Sequence, residues 1–220
     1  MGDYDSITIT NASVGYSKDE PLIQGISLTL KPGDIVAING VSGIGKTTLL
    51  KTLAGLVRPI NGDVTIFGNK KAKRGEVGYI PQRLGLIRNS TVHHNVILGA
   101  MAGHTKPWFP FSRDTKIHTK KAIEAMGIES KTRVQVGKLS GGQQRRVAIA
   151  RTLAQEPKLI LADEFLAELD EETLTKVMDV VLDYVKKKNA IMILVEHDLS
   201  RAEKMATRIL TAENGKLVEN

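Results

Sequence analysis

The sequence predicts an α/β protein with an antiparallel β subdomain and an inserted α-helical subdomain, and two patterns support this prediction. The N-terminal third alternates short apolar segments with turns, as at Ile7 and Ile9 and at Asn61-Gly62-Asp63, which is typical of antiparallel strands. From Gly141 onwards, apolar strands alternate with helical segments. That alternation indicates a sheet covered by helices.

The elements can be placed in order along the chain. Residues 34–39 form a short apolar strand that enters a glycine-rich turn, residues 46–57 have helical composition, and residues 77–80 predict another strand. The other expected elements are helices at 91–102, 115–126, 141–155, 171–187 and 199–206, strands at 159–162 and 190–195, and a final strand pair that turns at Asn214-Gly215. We expect one domain over residues 1–220, with a helical subdomain inserted at about 84–155.

Composition excludes several classes of protein. The chain of 220 residues has no cysteine, which rules out a disulfide framework and a thiolate metal site. Neither a signal peptide nor an apolar stretch near the ~18 residues of a membrane span is present, so we expect a cytoplasmic protein. The net charge of +7 is concentrated between residues 104 and 138. This basic segment is either a solvated polar face or a surface that attracts lipid headgroups or nucleic acid.

The segment from Gly40 to Thr47, Gly-Val-Ser-Gly-Ile-Gly-Lys-Thr, has the pattern of a phosphate loop. Its glycines let backbone N–H groups close around phosphates, and the following helix offers the positive end of its dipole. Lys46 is expected to reach the β- and γ-phosphates, and the Thr47 hydroxyl to contact Mg²⁺. A glycine turn of purely structural purpose is the alternative. The predicted nucleotide-binding residues here are Gly40, Ser42, Gly43, Gly45, Lys46, Thr47 and Thr48.

Two acids follow the apolar strand at residues 159–162. The carboxyl end of such a strand delivers its next residues to the crevice where α/β proteins bind ligands. Asp163 is therefore a predicted Mg²⁺ partner, and Glu164, which points differently, a predicted general base for the attacking water. A helix cap is the alternative explanation of the acidic pair.

A second anion site is predicted at Leu139-Ser140-Gly141-Gly142-Gln143, where Ser140, Gly141 and Gly142 open a helix. Because the phosphate loop already surrounds its own phosphates, this second site is most simply used on a nucleotide held by another molecule, in a head-to-tail pair.

These motifs, in this order, resemble the nucleotide-binding subunit of ABC transporters over nearly the whole chain. The resemblance implies a P-loop NTPase core and adds four site residues. Gln82 in Tyr79-Ile80-Pro81-Gln82 would contact Mg²⁺ and the lytic water, and His197 the γ-phosphate. Tyr16 would stack on adenine, although a packing or loop role is open, and Asp170 would reach across a dimer. Gln143 completes the signature that contacts the second nucleotide.

The resemblance also implies the ligands and partners. ATP and Mg²⁺ would bind, and the chain would pair with a second ATPase subunit, most simply an identical one. Together the pair would drive a permease at the inner face of the cell membrane, with a substrate-binding protein if the system imports, and without nucleic acid. The residues Trp108, Phe109, Pro110 and Phe111 resemble the insert of phosphonate-type importers or form a local apolar cluster. Alternatives are an exporter ATPase, a soluble ATPase of cofactor assembly or repair, and a module that holds ATP without turnover.

The chain departs from the family at two places. Phe165-Leu166-Ala167-Glu168-Leu169-Asp170 replaces Pro-Thr-Ser-Ala-Leu-Asp, which removes the usual serine hydroxyl. Glu196 replaces the common Thr or Ser before His197, and we expect it to face away from the phosphate region, because a carboxylate there would disfavour an anion. The other histidines match no ligand spacing and are interpreted as surface or packing residues: His93, His94, His104 and His118.

Overall fold

The structure is a computed structural model that describes residues 5–104 and 112–219 and divides into two compact units. The first unit comprises residues 1–73, 161–164 and 189–220, and the second residues 74–160 and 165–188. Residues 108–111 lie outside the described residues, so the two interpretations of that segment stay as stated above.

The first unit contains an antiparallel sheet of the predicted kind. Strand β1 (Ile7–Val14) pairs antiparallel with β2 (Ile23–Leu30) on one side and with β4 (Asn61–Ile66) on the other. The side chains of Ile7, Ile9 and Ile26 are buried on its inner face. Because alternate residues of a strand face the same side of the sheet, the buried apolar residues recur at every second position in this part of the sequence.

The same unit contains a largely parallel sheet. Strand β3 (Ile35–Gly40) runs parallel to β7 (Ile191–Val195) and to β8 (Arg208–Glu213), and β9 (Lys216–Glu219) returns antiparallel to β8. The end of β6 (Leu159–Asp163) lies beside β7. Every residue of β6 and β7 is buried, as strands covered on both faces require. Helices α1 (Lys46–Leu53) and α6 (Leu199–Met205) complete the unit.

The second unit is mainly helical. It contains β5 (Val77–Ile80), α2 (Val92–His104), α3 (Arg113–Ala125), α4 (Gly141–Ala154) and α5 (Glu171–Lys188). Glycines set the distance between α2 and α4. A Cβ at Gly99 would collide with the carbonyl of Arg151, and one at Gly103 with the carbonyl of Gln155. The backbone of α2 can therefore approach α4 only with glycine at these positions.

Within the described residues, no helix is both long enough and apolar enough to cross a membrane.

Candidate active site

The phosphate loop lies between β3 and α1 in the first unit. Gly45 precedes α1 with φ 115°, a left-handed conformation that favours glycine, and a Cβ there would lie 2.8 Å from Cβ of Leu22. Helix α1 begins with no side-chain cap and no acidic residue in its first turn. Its first N–H groups and its dipole are therefore directed at the loop, as an anion site requires.

Lys46 is folded back against this loop. Its ammonium group donates to the carbonyls of Gly40 at 2.6 Å and Val41 at 2.9 Å, and the residue is only 5% exposed. Desolvation by burial lowers the pKa of Lys46, and the charges of Glu164 and Asp163 oppose that shift. A phosphate would offer this buried ammonium the negative charge that the two carbonyls lack.

Thr47 and Asp163 meet beside the loop. The Thr47 hydroxyl donates to Oδ2 of Asp163 at 2.8 Å, and Asp163 is 1% exposed. The other oxygen, Oδ1, is buried without a hydrogen-bond partner among the residues that the structure describes. Burial is the main cause that raises the pKa of Asp163, and the Thr47 hydrogen bond opposes it. An orphaned carboxylate oxygen next to a hydroxyl is a donor set that suits Mg²⁺, so these residues fit the predicted ion.

Glu164 forms a pair with His197. The Nε2 atom of His197 lies 2.8 Å from Oε1 of Glu164, and because an ionised carboxylate only accepts, Nε2 carries the proton. Glu164 has φ 49°, and its N–H donates to the carbonyl of Val195 at 3.0 Å. A non-glycine residue with positive φ is uncommon, and turns and functional sites are among the places where it occurs. The Glu164 carboxylate faces His197.

Glu196 is buried one residue before His197, with 5% exposure. Its Oε1 atom has no hydrogen-bond partner within residues 5–104 and 112–219. Burial raises the pKa of Glu196 to about 7, Arg201 lowers it, and the charge of Glu164 raises it further. The side chain is thus enclosed in protein.

Tyr16 is 72% exposed, which leaves its ring accessible to a base. The Thr48 hydroxyl donates to the Tyr16 oxygen at 3.4 Å, and this contact, together with Lys51, lowers the pKa of Tyr16. Tyr16 is thereby linked to helix α1, which begins at the phosphate loop.

The signature helix α4 begins in the second unit with a complete capping box. Ser140 Oγ accepts from the N–H of Gln143 at 3.3 Å, and Gln143 Oε1 accepts from the N–H of Ser140 at 3.1 Å. The start of the helix lies at an open cleft of about 400 Å³. The lining residues of the cleft are Ser140, Gly141, Gly142, Gln143, Arg146, Glu168, Leu169, Asp170 and Thr173.

Glu168 is a residue of this cleft that sequence reasoning missed. A Cβ at Gly141 would collide with Oε2 of Glu168, and Oε1 lies 3.5 Å from the guanidinium of Arg145. Glu168 has φ 61°. The acid is visible in the sequence among the family departures, but its approach to the helix start depends on packing between residues 27 positions apart.

Two further predicted residues lie in the second unit. Asp170 caps α5, since its Oδ1 accepts from the N–H of Thr173 at 2.9 Å, and this hydrogen bond lowers the pKa of Asp170. Gln82 lies exposed just after β5. In the segment that departs from the family, Phe165 and Leu166 are fully buried, so the apolar replacements serve the core.

Known proteins resemble this chain in sequence. A family model described as ABC transporter matches residues 23–167. The chain belongs to the ABC transporter ATPase family. ABC ATPases hydrolyse ATP, and the predicted enzyme class is therefore confirmed.

The relatives of this ABC ATPase include import ATPases. The phosphonates import ATP-binding protein PhnC 3 of Nostoc sp. is 36% identical over 216 residues, which are 94% of this chain and 82% of that protein. The methionine import ATP-binding protein MetN of Bacillus subtilis is 32% identical over 210 residues, 91% of this chain and 60% of that protein. These relatives confirm the predicted role, an ATP-hydrolysing subunit of an ABC importer.

Solved structures confirm the predicted fold. MJ0796, a dimeric bacterial ABC transporter cassette, matches with a TM-score of 0.83 and 29% identity over 96% of each chain. A dimeric post-hydrolysis state of the same cassette, bound to ADP and Pi, matches with a TM-score of 0.84 and 26% identity over 97% of each chain.

Proposed function

We propose that this ABC ATPase hydrolyses Mg²⁺-bound ATP between two copies of the chain, arranged head to tail, and so drives an importer at the cytoplasmic face of the membrane. The observation that carries the proposal is the second anion site. The chain has an uncapped helix at its phosphate loop and, on its other unit, a serine-capped helix that starts at an open cleft. One nucleotide needs both, and two-fold pairing supplies each loop with the signature of the other copy.

The chain's own residues divide the chemistry between them. The loop N–H groups and Lys46 hold the β- and γ-phosphates, and Tyr16 supports the adenine. Thr47, Asp163 and Gln82 would hold Mg²⁺, and the ion would supply positive charge to the phosphates. Ser140 and the N–H of Gly142 of the second copy stabilise the γ-phosphoryl oxygens during attack.

Glu164 and His197 act on the water. The Glu164 carboxylate accepts the proton of the attacking water, and His197 holds the carboxylate in position through Nε2. Once ATP enters, His197 also contacts the γ-phosphate. The contact between Glu164 and His197 therefore depends on whether the phosphate is present. Gln82 and Asp170 then relay nucleotide state to the permease and to the other copy.

The test is Glu164→Gln, which keeps size and hydrogen bonding but removes the base. Hydrolysis should fall by about 10²–10⁴-fold, and ATP should trap a stable dimer, because closure precedes attack. Light scattering with and without ATP and Mg²⁺ measures the dimer, and phosphate release measures turnover. A variant that stays monomeric with ATP and still turns over contradicts the proposal.

The import role needs the membrane partner. An importer ATPase should have a polytopic membrane protein encoded beside it, and ATPase activity should rise when the two are reconstituted together in vesicles. Binding to nucleic acid that weakens steeply with salt, without stimulation by a membrane partner, would instead support a repair ATPase.

A further inference from the structure

Two histidines that the sequence separates come together in the second unit. His104 at the end of α2 and His118 in α3 have ring centroids 3.8 Å apart and planes within 6°. The carboxylate of Glu156, which follows α4, lies beside both rings: His118 Nδ1 is 3.4 Å from Oε1 and His104 Nε2 is 3.9 Å from Oε2. Three potential ligand atoms from three parts of the chain thus lie within 4.8 Å of one another.

We propose that His104, His118 and Glu156 form a binding site for a divalent transition metal, with Zn²⁺ the best match. Imidazole nitrogens and a carboxylate oxygen are the ligands of three-residue zinc sites, with water as the fourth. Tetrahedral bonds of about 2.0–2.1 Å put neighbouring ligand atoms roughly 3.4 Å apart, and one of the three separations already has that value. A site of this kind is separate from the Mg²⁺ and ATP site described above.

The surroundings of the three ligands favour binding. Their side chains are only 17%, 23% and 26% exposed. Nε2 of His104 is fully shielded and has no hydrogen-bond partner among residues 5–104 and 112–219, which is costly for a polar atom that a metal would satisfy. Burial lowers the pKa of His118, which favours the neutral, ligating form.

Two features limit the affinity and supply a test. The rings are stacked, and because a lone pair lies in its ring plane, one imidazole must turn for both to face one ion. The ammonium of Lys188 lies 2.9 Å from Oε1 of Glu156 and competes for the carboxylate. A metal must displace this ion pair or share the carboxylate with it. Removal of the lysine charge should therefore strengthen metal binding.

The experiment is a titration of the tag-free full chain, stripped with a chelator, with ZnCl₂ in the absence of ATP. Calorimetry should show one ion bound per chain, and saturating Zn²⁺ should raise Tm because it binds the folded state. Co²⁺ should give the visible absorption of a four-coordinate ion. His104→Ala and His118→Ala should each weaken binding by more than tenfold, and Lys188→Gln should strengthen it severalfold.

His93→Ala is the matched control, since His93 is an exposed histidine on the same helix. It should bind Zn²⁺ as the wild type does. Circular dichroism and Tm without metal establish that the variants fold. Absence of saturable binding, or binding that survives in the double variant of His104 and His118, overturns the proposal and leaves the cluster as a structural ion pair. Because ATP and Mg²⁺ are absent, failure here leaves the proposed ATPase function unaffected.

Discussion

The carboxylate of Glu168 lies against the Cα of Gly141, at the first turn of the signature helix. This is the place where the proposed dimer brings the γ-phosphate of the other copy. A carboxylate at a helix N-terminus is stabilised by the same dipole that favours a phosphate there. Glu168 is also within 3.5 Å of Arg145, which holds it over the helix start. We therefore expect the Glu168 carboxylate and the incoming phosphate to compete for one site.

Removal of this anion should make closure easier. We expect Glu168→Ala to lower the ATP concentration needed for dimerisation, measured in the Glu164→Gln background, by roughly three- to tenfold, because a charge at a helix terminus contributes about 1 kcal/mol. Glu168→Gln should give an intermediate shift. The control is Glu172→Ala, which removes an exposed acid from the first turn of α5. An unchanged midpoint in Glu168→Ala would show that the carboxylate does not compete.

The contact between Glu164 and His197 leads us to expect a much larger loss of turnover than of ATP binding in His197→Ala. This variant removes the donor at 2.8 Å from the Glu164 carboxylate, so the base is no longer held in place. The kcat should fall by about 10²–10⁴-fold, while the Kd for ATP rises by no more than about tenfold, because only one contact to the γ-phosphate is lost. Stopped-flow fluorescence of a labelled nucleotide and phosphate release separate the two quantities. His94→Ala, on the exposed face of α2, should behave as wild type, and equal loss in both variants would contradict the assignment.

We expect replacement of Asp163 to raise the stability of the nucleotide-free protein and to remove its activity. Its buried carboxylate has one oxygen without a partner and a raised pKa, so its charge is costly in the absence of metal. Asp163→Asn should therefore stabilise the nucleotide-free protein by about 1 kcal/mol and abolish Mg²⁺-dependent hydrolysis. Urea unfolding with and without Mg²⁺ tests the first part. A variant that is less stable and still active would exclude the proposed Mg²⁺ role.

Glu196 predicts a pH-dependent stability. Its pKa is raised by burial to about 7 in the folded protein, from 4.5 for an ordinary glutamate. The folded state thus holds a proton that the unfolded chain releases between pH 4.5 and 7. Stability is retained below this window and is lost as pH rises through it, by roughly 3 kcal/mol in total at 1.36 kcal/mol per unit.

Glu196→Gln removes this loss. The variant should match the wild type in free energy of unfolding near pH 4, exceed it increasingly up to about pH 7 and keep a constant advantage above that, as urea titrations from pH 4 to pH 8 would measure. Glu203→Gln, an exposed position on α6, serves as the control. A difference between Glu196→Gln and wild type that is the same at pH 5.5 and pH 8 would refute a raised pKa for Glu196.

Much of the fold is local in origin and was therefore predictable. The strand at 77–80 has the bounds of β5, and helix α4 begins at Gly141, because Ser140 with Gln143 three residues later caps a helix in any context. The phosphate loop was recognisable for the same reason, since its glycines and Lys46 all lie within one segment of eight residues. Helix α1, predicted to residue 57, ends at Leu53, because Gly55 just beyond it has φ 72°, the left-handed conformation with which glycine ends helices.

Pairings between distant segments had no such local signal. The sequence alone determined the phosphate loop, the acids at the end of β6 and the capped signature helix, because each depends on neighbouring residues. Only the tertiary structure decided that Glu168 covers Gly141, that Glu196 is buried, and that His104 meets His118. The last of these depends on Gly99 and Gly103, which let α2 approach α4 closely enough to bring His104 beside Glu156. The backbone distance between packed helices is set by the smallest residues at their contact. The hydrophobic periodicity of one helix does not show which residues of the other helix it will meet.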